Sequence, residues 1–159
     1  DVVIHLAAQT GTGQSMYEIS RYVQHNANGT AKLLELISSL DRKPRRMVLS
    51  SSRAVYGDGA YMDGKSVVYP KGRSLENLQK GIWEVCGSKG ETLTPLAMQE
   101  THLTQPTSVY GLTKLWQEQL MQNYCESQGI DLVTLRFQNV YGPKQELGNP
   151  YTGIIGIFT

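Results

Sequence analysis

Apolar and polar positions alternate along this chain in an order that reads strand, helix, strand, helix, strand. Val2 to Ala8 is a short continuous apolar run ending in small residues, the pattern of a strand buried on both faces of a parallel sheet. From Ile19 to Leu40 apolar side chains recur at helical spacing (Val23, Ala27, Ala31, Leu33, Leu34, Leu36, Ile37, Leu40) and predict a helix over much of that stretch. Pro44 marks the following loop, and Arg46-Met47-Val48-Leu49 reads as the next strand, running straight into Ser50-Ser51-Ser52. Val109 to Gln128 is again helical in period and closes at Gly129, as a C-terminal cap should. Asp131 to Phe137 predicts a third strand.

Elements of these lengths in this order imply right-handed crossovers and a parallel sheet of the α/β class. Ligands of such sheets lie beyond the carboxyl ends of the strands. That sets Ala7-Ala8-Gln9-Thr10, Ser50-Ser51-Ser52 and Gln138-Asn139 along one edge. Between Gly57 and Pro106 no period is sustained, and Gly, Pro, Tyr and charged residues alternate. Residues 58–106 read as an insertion with short strands that folds over the site as a lid or subdomain, because a structureless loop of that length is unusual. Asp1 opens inside one apolar run and Ile154 to Thr159 closes inside another, so the chain is expected to be the middle of a longer protein.

Composition narrows the partners. The 159 residues, 40% hydrophobic and 18% charged, suit one globular unit. A net charge of +1, dispersed along the chain, argues against nucleic acid and anionic membranes. No run approaches the ~20 apolar residues of a membrane helix, and no secretory pattern opens the chain. Cys86 and Cys125 lack C-x-x-C spacing and provide neither a disulfide framework nor a complete zinc site. The expectation is a cytoplasmic protein without a metal, whose partners are small molecules or other protein.

The chemistry centres on Tyr110 and Lys114 in S-V-Y-G-L-T-K. On a helix beginning near Ser108 the two lie one turn apart on the same side. A free tyrosine titrates near ~10; an ammonium one turn away favours its phenolate and brings it toward the pH at which acid–base exchange is effective. Ser52, arriving from the neighbouring strand end, is placed to hydrogen-bond the same substrate hydroxyl. The tyrosine–lysine spacing alone describes a solvated surface pair equally well, so the surrounding motifs decide.

Those motifs are V-I-H-L-A-A at 3–8, N-A-N-G-T at 26–30, S-S-S-R-A-V-Y-G at 50–57, S-V-Y-G-L-T-K at 108–114 and L-R-F-Q-N-V-Y-G-P at 135–143. In this order they resemble the extended short-chain dehydrogenase/reductase family, the NAD-dependent sugar-nucleotide epimerases and dehydratases. The resemblance implies a doubly wound, Rossmann-like parallel sheet. Residues 1–159 would be a partial NAD-binding domain lacking its first βαβ units, and residues 143–159 the start of a substrate-binding region. It implies catalytic roles for Ser52, Tyr110 and Lys114. On the NAD side it sets Leu6, Ala7, Ala8, Gln9, Thr10, Ser50, Tyr110, Lys114 and Gln138, with Asn26 holding the cofactor-side backbone. On the nucleotide-sugar side it sets Thr12, Gly13, Ser52, Arg53, Tyr110 and Asn139. Asn26 and Asn28 would also serve simply to satisfy local backbone groups, and Gln138 is as readily structural.

Two departures from the family pattern bear on activity. The G-x-x-G-x-x-G phosphate loop would precede Asp1, so NAD affinity of this stretch alone is expected to be weak. After Ser52 stand Arg53 and Ala54, where the 4,6-dehydratases place an Asp-Glu pair. The expectation therefore turns from dehydration to 4-epimerisation through a 4-keto sugar. The insertion, with V-V-Y-P-K-G-R-S at 67–74, and N-P-Y-T-G-I at 149–154 are similar to dTDP-L-rhamnose 4-epimerase-like proteins. This implies dTDP-L-rhamnose or a related nucleotide 6-deoxyhexose as substrate. Some relatives carry paired cysteines in the insertion, and Cys86 alone cannot form such a site. The alternatives are a UDP-glucose/UDP-galactose-type 4-epimerase, a sugar-nucleotide reductase or decarboxylase, and a non-catalytic nucleotide-sugar-binding module. Dimerisation of the family through a four-helix bundle implies a homodimer of the full-length protein, with the helices around 19–40 and 109–128 at the interface.

Overall fold

The computed structural model describes residues 1–145, so the motif at 149–154 and most of the segment 143–159 lie outside the described residues. In chain order the elements are β1 (Val2–His5), α1 (Ile19–Tyr22), α2 (Gly29–Ser38), β2 (Arg46–Ser52), β3 (Tyr61–Asp63), β4 (Ser66–Val68), α3 (Leu75–Gln79), β5 (Thr94–Pro95), α4 (Val109–Gln128) and β6 (Asp131–Phe137). β1, β2 and β6 form a parallel sheet in the order β1-β2-β6, with Ile4 opposite Val48 and Val48 opposite Val133. The α/β, Rossmann-like class expected from the strand–helix alternation is the one observed.

Side-chain alternation along β2 orients the sheet. Met47, Leu49 and Ser51 point to a face covered by α2 and α4, where Leu34, Ile37, Met121, Cys125 and Ile130 complete the core. On the opposite face Val2, Ile4, Val133, Leu135 and Phe137 stay exposed among the described residues. The longest helix, α4, is defined at both ends by local chemistry. The Ser108 hydroxyl accepts from the Gly111 N–H at its start, and Gly129 closes it in the left-handed conformation (φ 64, ψ 33); such caps are worth about 1 kcal/mol each.

Two departures from the sequence pattern have physical causes. Pairing of β1 ends at His5, three residues before the apolar run does. Beyond it the Asn26 side chain takes both the N–H and the C=O of Gln9, at 2.7 and 3.0 Å, groups that a ladder would otherwise use. The helical stretch after Ile19 is interrupted by a π-helical turn over Val23–Asn28. Such widened turns recur at functional sites because they redirect a side chain, and here Asn26 is fully buried.

The insertion builds its own antiparallel sheet, in the order β4-β3-β5, with Ala60, Val85 and Leu93 buried in it. Its outgoing and returning segments touch at the root. Gly57 has φ +63, and a Cβ there would come within 2.2 Å of the Gln105 carbonyl oxygen. The insertion is thereby pinned beside the end of β2.

Candidate active site

A crevice of about 370 Å³ opens at the carboxyl ends of the parallel strands. Thr10, Gly11 and Thr12 line it from beyond β1, Ser52, Arg53 and Ala54 from the end of β2, Tyr110 from the first turn of α4, and Phe137 to Val140 from the end of β6. Of the residues expected from the sequence, it gathers Thr10, Thr12, Ser52, Arg53, Tyr110, Gln138 and Asn139. The others lie elsewhere. Leu6 and Ala7 are exposed along the end of β1, and Gly13 stands in open space in the loop beyond it. Ala8 and Gln9 are half-buried between them, Ser50 is set back along β2, and Asn26 and Lys114 are buried.

The position of Tyr110 follows from close packing around it. A Cβ on Gly111 would come within 2.5 Å of the Ala54 carbonyl oxygen, so only glycine lets the start of α4 sit against the turn that follows Ser52. The Tyr110 N–H donates to the Ser15 hydroxyl at 3.0 Å, and that hydroxyl donates to the Thr12 carbonyl at 2.6 Å. The Tyr22 ring meets the Tyr110 ring edge-on at 6.4 Å while its hydroxyl donates to the Thr10 carbonyl at 2.5 Å. Ser15 and Tyr22 thus tie the Thr10–Thr12 loop to the start of α4. The sequence reading missed both, since neither falls in a motif with a chemical signature.

Burial pushes the Tyr110 phenol above its ordinary value, and the Ser52 hydroxyl, in hydrogen-bond reach, pulls it the other way. The expected lowering by Lys114 is not what the geometry produces. The Lys114 Nζ donates to the Ser50 carbonyl at 2.8 Å, and the side chain is only 3% exposed. Burial pushes this ammonium down to about 8, with Glu118 opposing.

Beneath the crevice a buried polar network joins β1, α2 and α4. The His5 Nε2 meets the Thr30 hydroxyl at 2.9 Å, and the Gln117 amide donates to the same hydroxyl at 2.7 Å. The Asn26 amide donates to Thr113, whose hydroxyl donates to the Tyr110 carbonyl, both at 2.9 Å. Asn26 therefore acts as a brace between the β1 end and α4 and cannot itself touch a ligand. Burial, then the charge of Lys114, lowers the His5 imidazole, which is neutral at neutral pH.

The residues present fit the nicotinamide end of a dinucleotide. An ammonium carries several donors, and among the described hydrogen bonds Lys114 uses one, on Ser50. Leu6 and Ala7 offer an exposed, apolar stretch beyond β1, and Asn26 holds the Gln9 backbone that follows it. The insertion flanks this region. Arg53 and Gln138 also line a cavity of about 110 Å³ whose remaining wall includes Gly59, Tyr61, Pro95 and Met98. Another cavity, about 490 Å³, lies within the insertion among Tyr69, Lys71, Arg73 and Cys86 and shares no lining residue with the crevice. No helix among the described residues is long and apolar enough to cross a membrane.

Comparison with known proteins bears on this arrangement. The sequence profile of an NAD-binding family described as male sterility protein matches residues 1–159. The dTDP-L-rhamnose 4-epimerase of Burkholderia thailandensis is 43% identical over 161 residues, covering 100% of this chain and 43% of that protein. Among solved structures, a UDP-N-acetylglucosamine 4-epimerase from Methanobrevibacter ruminantium, in complex with UDP-N-acetylmuramic acid, superposes with a TM-score of 0.70 at 27% identity. That match covers 99% of this chain and 39% of the other. A UDP-glucuronic acid 4-epimerase from Bacillus cereus, in complex with UDP-glucuronic acid and NAD, has a TM-score of 0.63 at 30% identity over 94% of this chain and 36% of the other. The chain thus spans about two-fifths of the length of these relatives.

Proposed function

Because the chain belongs to the NAD-binding male sterility protein family, of the extended short-chain dehydrogenase type, we propose that the full-length protein is an NAD-dependent sugar-nucleotide 4-epimerase. The proposed substrate is dTDP-L-rhamnose or a related nucleotide 6-deoxyhexose. The observation that carries this reading is the crevice wall itself: Tyr110 lines it within hydrogen-bond reach of Ser52, and Lys114 lies one turn below on the same helix. The 43% identity to a dTDP-L-rhamnose 4-epimerase along the whole chain supports the substrate class.

The assignments follow from what each side chain can do. Tyr110 is the acid–base group: as phenolate it takes the proton of the sugar 4-hydroxyl, and as phenol it gives that proton back to the 4-oxygen when hydride is returned to the opposite face of C4. Its raised titration keeps the phenol protonated at rest, the form needed for the return. Ser52 hydrogen-bonds the same oxygen and, by donating to the phenolate, stabilises the form needed for the removal. Lys114, still charged at neutral pH, lies one turn below Tyr110 and offers donors for ribose hydroxyls. Leu6, Ala7, Ala8, Gln9 and Thr10 form the cofactor side with Gln138, and Thr12, Gly13, Arg53 and Asn139 form the sugar side. When bound, NAD supplies the acceptance and return of one hydride.

Three further readings belong to the full-length protein. It works in the cytoplasm as a homodimer, and Leu112, Trp116 and Leu120 support the interface, forming an exposed apolar stripe at one-turn spacing along α4. Residues 58–106 form a lid-like subdomain beside the substrate, and residues 143–159 open the substrate-binding region. The test is incubation of the full-length protein with dTDP-L-rhamnose and with UDP-glucose, followed by NMR of the products. Inversion at C4 without net reduction of nicotinamide is expected, together with its loss in Tyr110→Phe. Retained turnover in that variant, or net reduction of the cofactor, defeats the assignment.

A further inference from the structure

The buried face of α4 carries three ionisable side chains at one-turn intervals, Tyr110, Lys114 and Glu118, and each meets a different serine of β2. The Tyr110 phenol is within reach of the Ser52 hydroxyl, Lys114 donates to the Ser50 carbonyl, and Glu118 accepts from the Ser51 hydroxyl. The first two pairs belong to the chemistry described above. Glu118 does not, yet it is a carboxylate only 7% exposed, a situation carboxylates occupy only when paired.

Its partner is Arg136 of β6. The guanidinium grips both carboxylate oxygens, Nε to Oε1 at 3.1 Å and Nη2 to Oε2 at 2.8 Å, the bidentate fork that fixes orientation as well as charge. Arg136 is itself immobilised. Its Nη1 donates to the Tyr56 hydroxyl at 2.8 Å and to the Glu100 carbonyl at 3.1 Å, and the guanidinium carbon lies 4.9 Å from the centroid of the Tyr56 ring. The carboxylate is therefore held by two partners, Arg136 and Ser51, one turn along α4 from Lys114.

We propose that Glu118, fixed by Arg136 and Ser51, is a positioning residue that keeps the Lys114 ammonium charged and seated on the Ser50 carbonyl. It thereby sets the pH range over which Lys114 is charged beneath the crevice. This rests on the reading of Lys114 given under the proposed function. The ionisable groups around Lys114 are His5 from β1, Tyr110 and Glu118 on its own helix and, through Glu118, Arg136 from β6. His5 is neutral at neutral pH and Tyr110 is a protonated phenol. That leaves Glu118 as the anion beside the ammonium among the described residues, and its charge opposes the effect of burial.

The measurement is the titration of Lys114 by NMR in the full-length protein carrying isotopically labelled lysine, with the resonance assigned by its absence in Lys114→Met. In Glu118→Gln the midpoint is expected to fall by about 1 pH unit or more, the effect of removing one adjacent opposite charge. The alkaline limb of the rate–pH profile should move down by the same amount. Should Glu118→Gln fail to fold with Arg136 left unpaired, the double variant Glu118→Met, Arg136→Leu replaces the pair with apolar side chains, and a smaller fall in the same direction is expected, because a more distant cation is removed with the anion. A midpoint that is unchanged or raised, or a rate lowered at every pH with the limb unmoved, overturns the proposal. The titration needs no turnover, which separates the two readings. A protein inactive on every sugar nucleotide but showing the fall defeats the function and keeps this proposal; an active protein with an unmoved midpoint does the reverse.

Discussion

Two helical glycines form a matched pair whose alanine variants should move stability in opposite directions. Gly29 opens α2 with ordinary helical angles (φ −59, ψ −42), and a Cβ there has its nearest neighbour, the Gln24 carbonyl oxygen, at 3.8 Å, an ordinary contact. Gly111 lies in the first turn of α4, and a Cβ there would be 2.5 Å from the Ala54 carbonyl oxygen and 3.1 Å from Pro106 Cβ. Replacing a helical glycine with alanine gains about 0.5–1 kcal/mol from the smaller entropy of the unfolded chain. Overpacking costs about 1–3 kcal/mol. At Gly111 the opposing atom is backbone and cannot rotate away, so the upper part of that range applies. Gly29→Ala should gain about 0.5–1 kcal/mol, and Gly111→Ala should lose about 1–2 kcal/mol net.

The assay is urea unfolding of the full-length protein, comparing midpoints at an unchanged slope. Turnover provides a second readout, because relieving the contact pushes Tyr110 away from Ser52, and a shift of ~1 Å at a reacting group costs on the order of 100-fold in rate. If Gly111→Ala is as stable as the parent, or if both variants move together, then α4 does not press on the turn after Ser52. The placement of Tyr110 argued above then fails.

Other outcomes follow from the same packing. Lys114→Met should abolish turnover yet raise stability at neutral pH, since burying this ammonium lowers its titration from 10.5 to about 8, a penalty of roughly 3 kcal/mol. Losing the Ser50 bond, whose donor is charged, offsets about 1.5–3 kcal/mol of that, so the net gain is small. A group whose folded value is depressed binds fewer protons folded than unfolded between the two values. Parent stability should therefore rise between pH 8 and 10.5, and the variant should lack this rise in chemical denaturation. Asn26→Ala strands the Gln9 N–H and C=O and takes from the Thr113 hydroxyl one of its two bonds, leaving the one to the Tyr110 carbonyl. It should cost about 2–4 kcal/mol and weaken NAD binding in calorimetry on the full-length protein; unaltered affinity would show that the end of β1 is not the cofactor seat. Trp116→Glu puts a charge in the exposed stripe of α4 and should turn a dimer into a monomer by light scattering, with little change in unfolding midpoint.

Much of the fold was legible because its signals are local. The Ser108 cap, the helical period and Gly129 act within a few residues of one another, so the bounds of α4 agree with those read from the pattern. The alternation along β2 and the run of Asp131–Phe137 likewise needed no partner to be recognised as strands. Where the pattern went astray, a distant residue had intervened. β1 stops pairing at His5 and Asn26, 17 positions from Gln9, takes the Gln9 backbone beyond it, while the helix read over 19–40 is broken by the π-turn that brings Asn26 inward.

The candidate site divides along the same line. The residue types of the crevice, Ser52, Tyr110, Gln138 and Asn139, and of Lys114 buried beneath it, could be named from motifs, because acid–base and hydrogen-bonding chemistry demands those side chains. Their charge states could not. The expectation that Lys114 would lower Tyr110 rested on their spacing along one helix. The raised phenol and the lowered ammonium both come first from burial, which no spacing along the chain reports. The bracing by Ser15, the fork between Glu118 and Arg136, and the contact that reserves Gly111 for glycine all depend on which atoms meet across the fold. Period, capping and motif chemistry are properties of neighbouring residues, so the sequence alone determined the elements and the reacting groups. Desolvation and close contact are properties of the packed interior, and only the tertiary structure decided how those groups are charged, held and exposed.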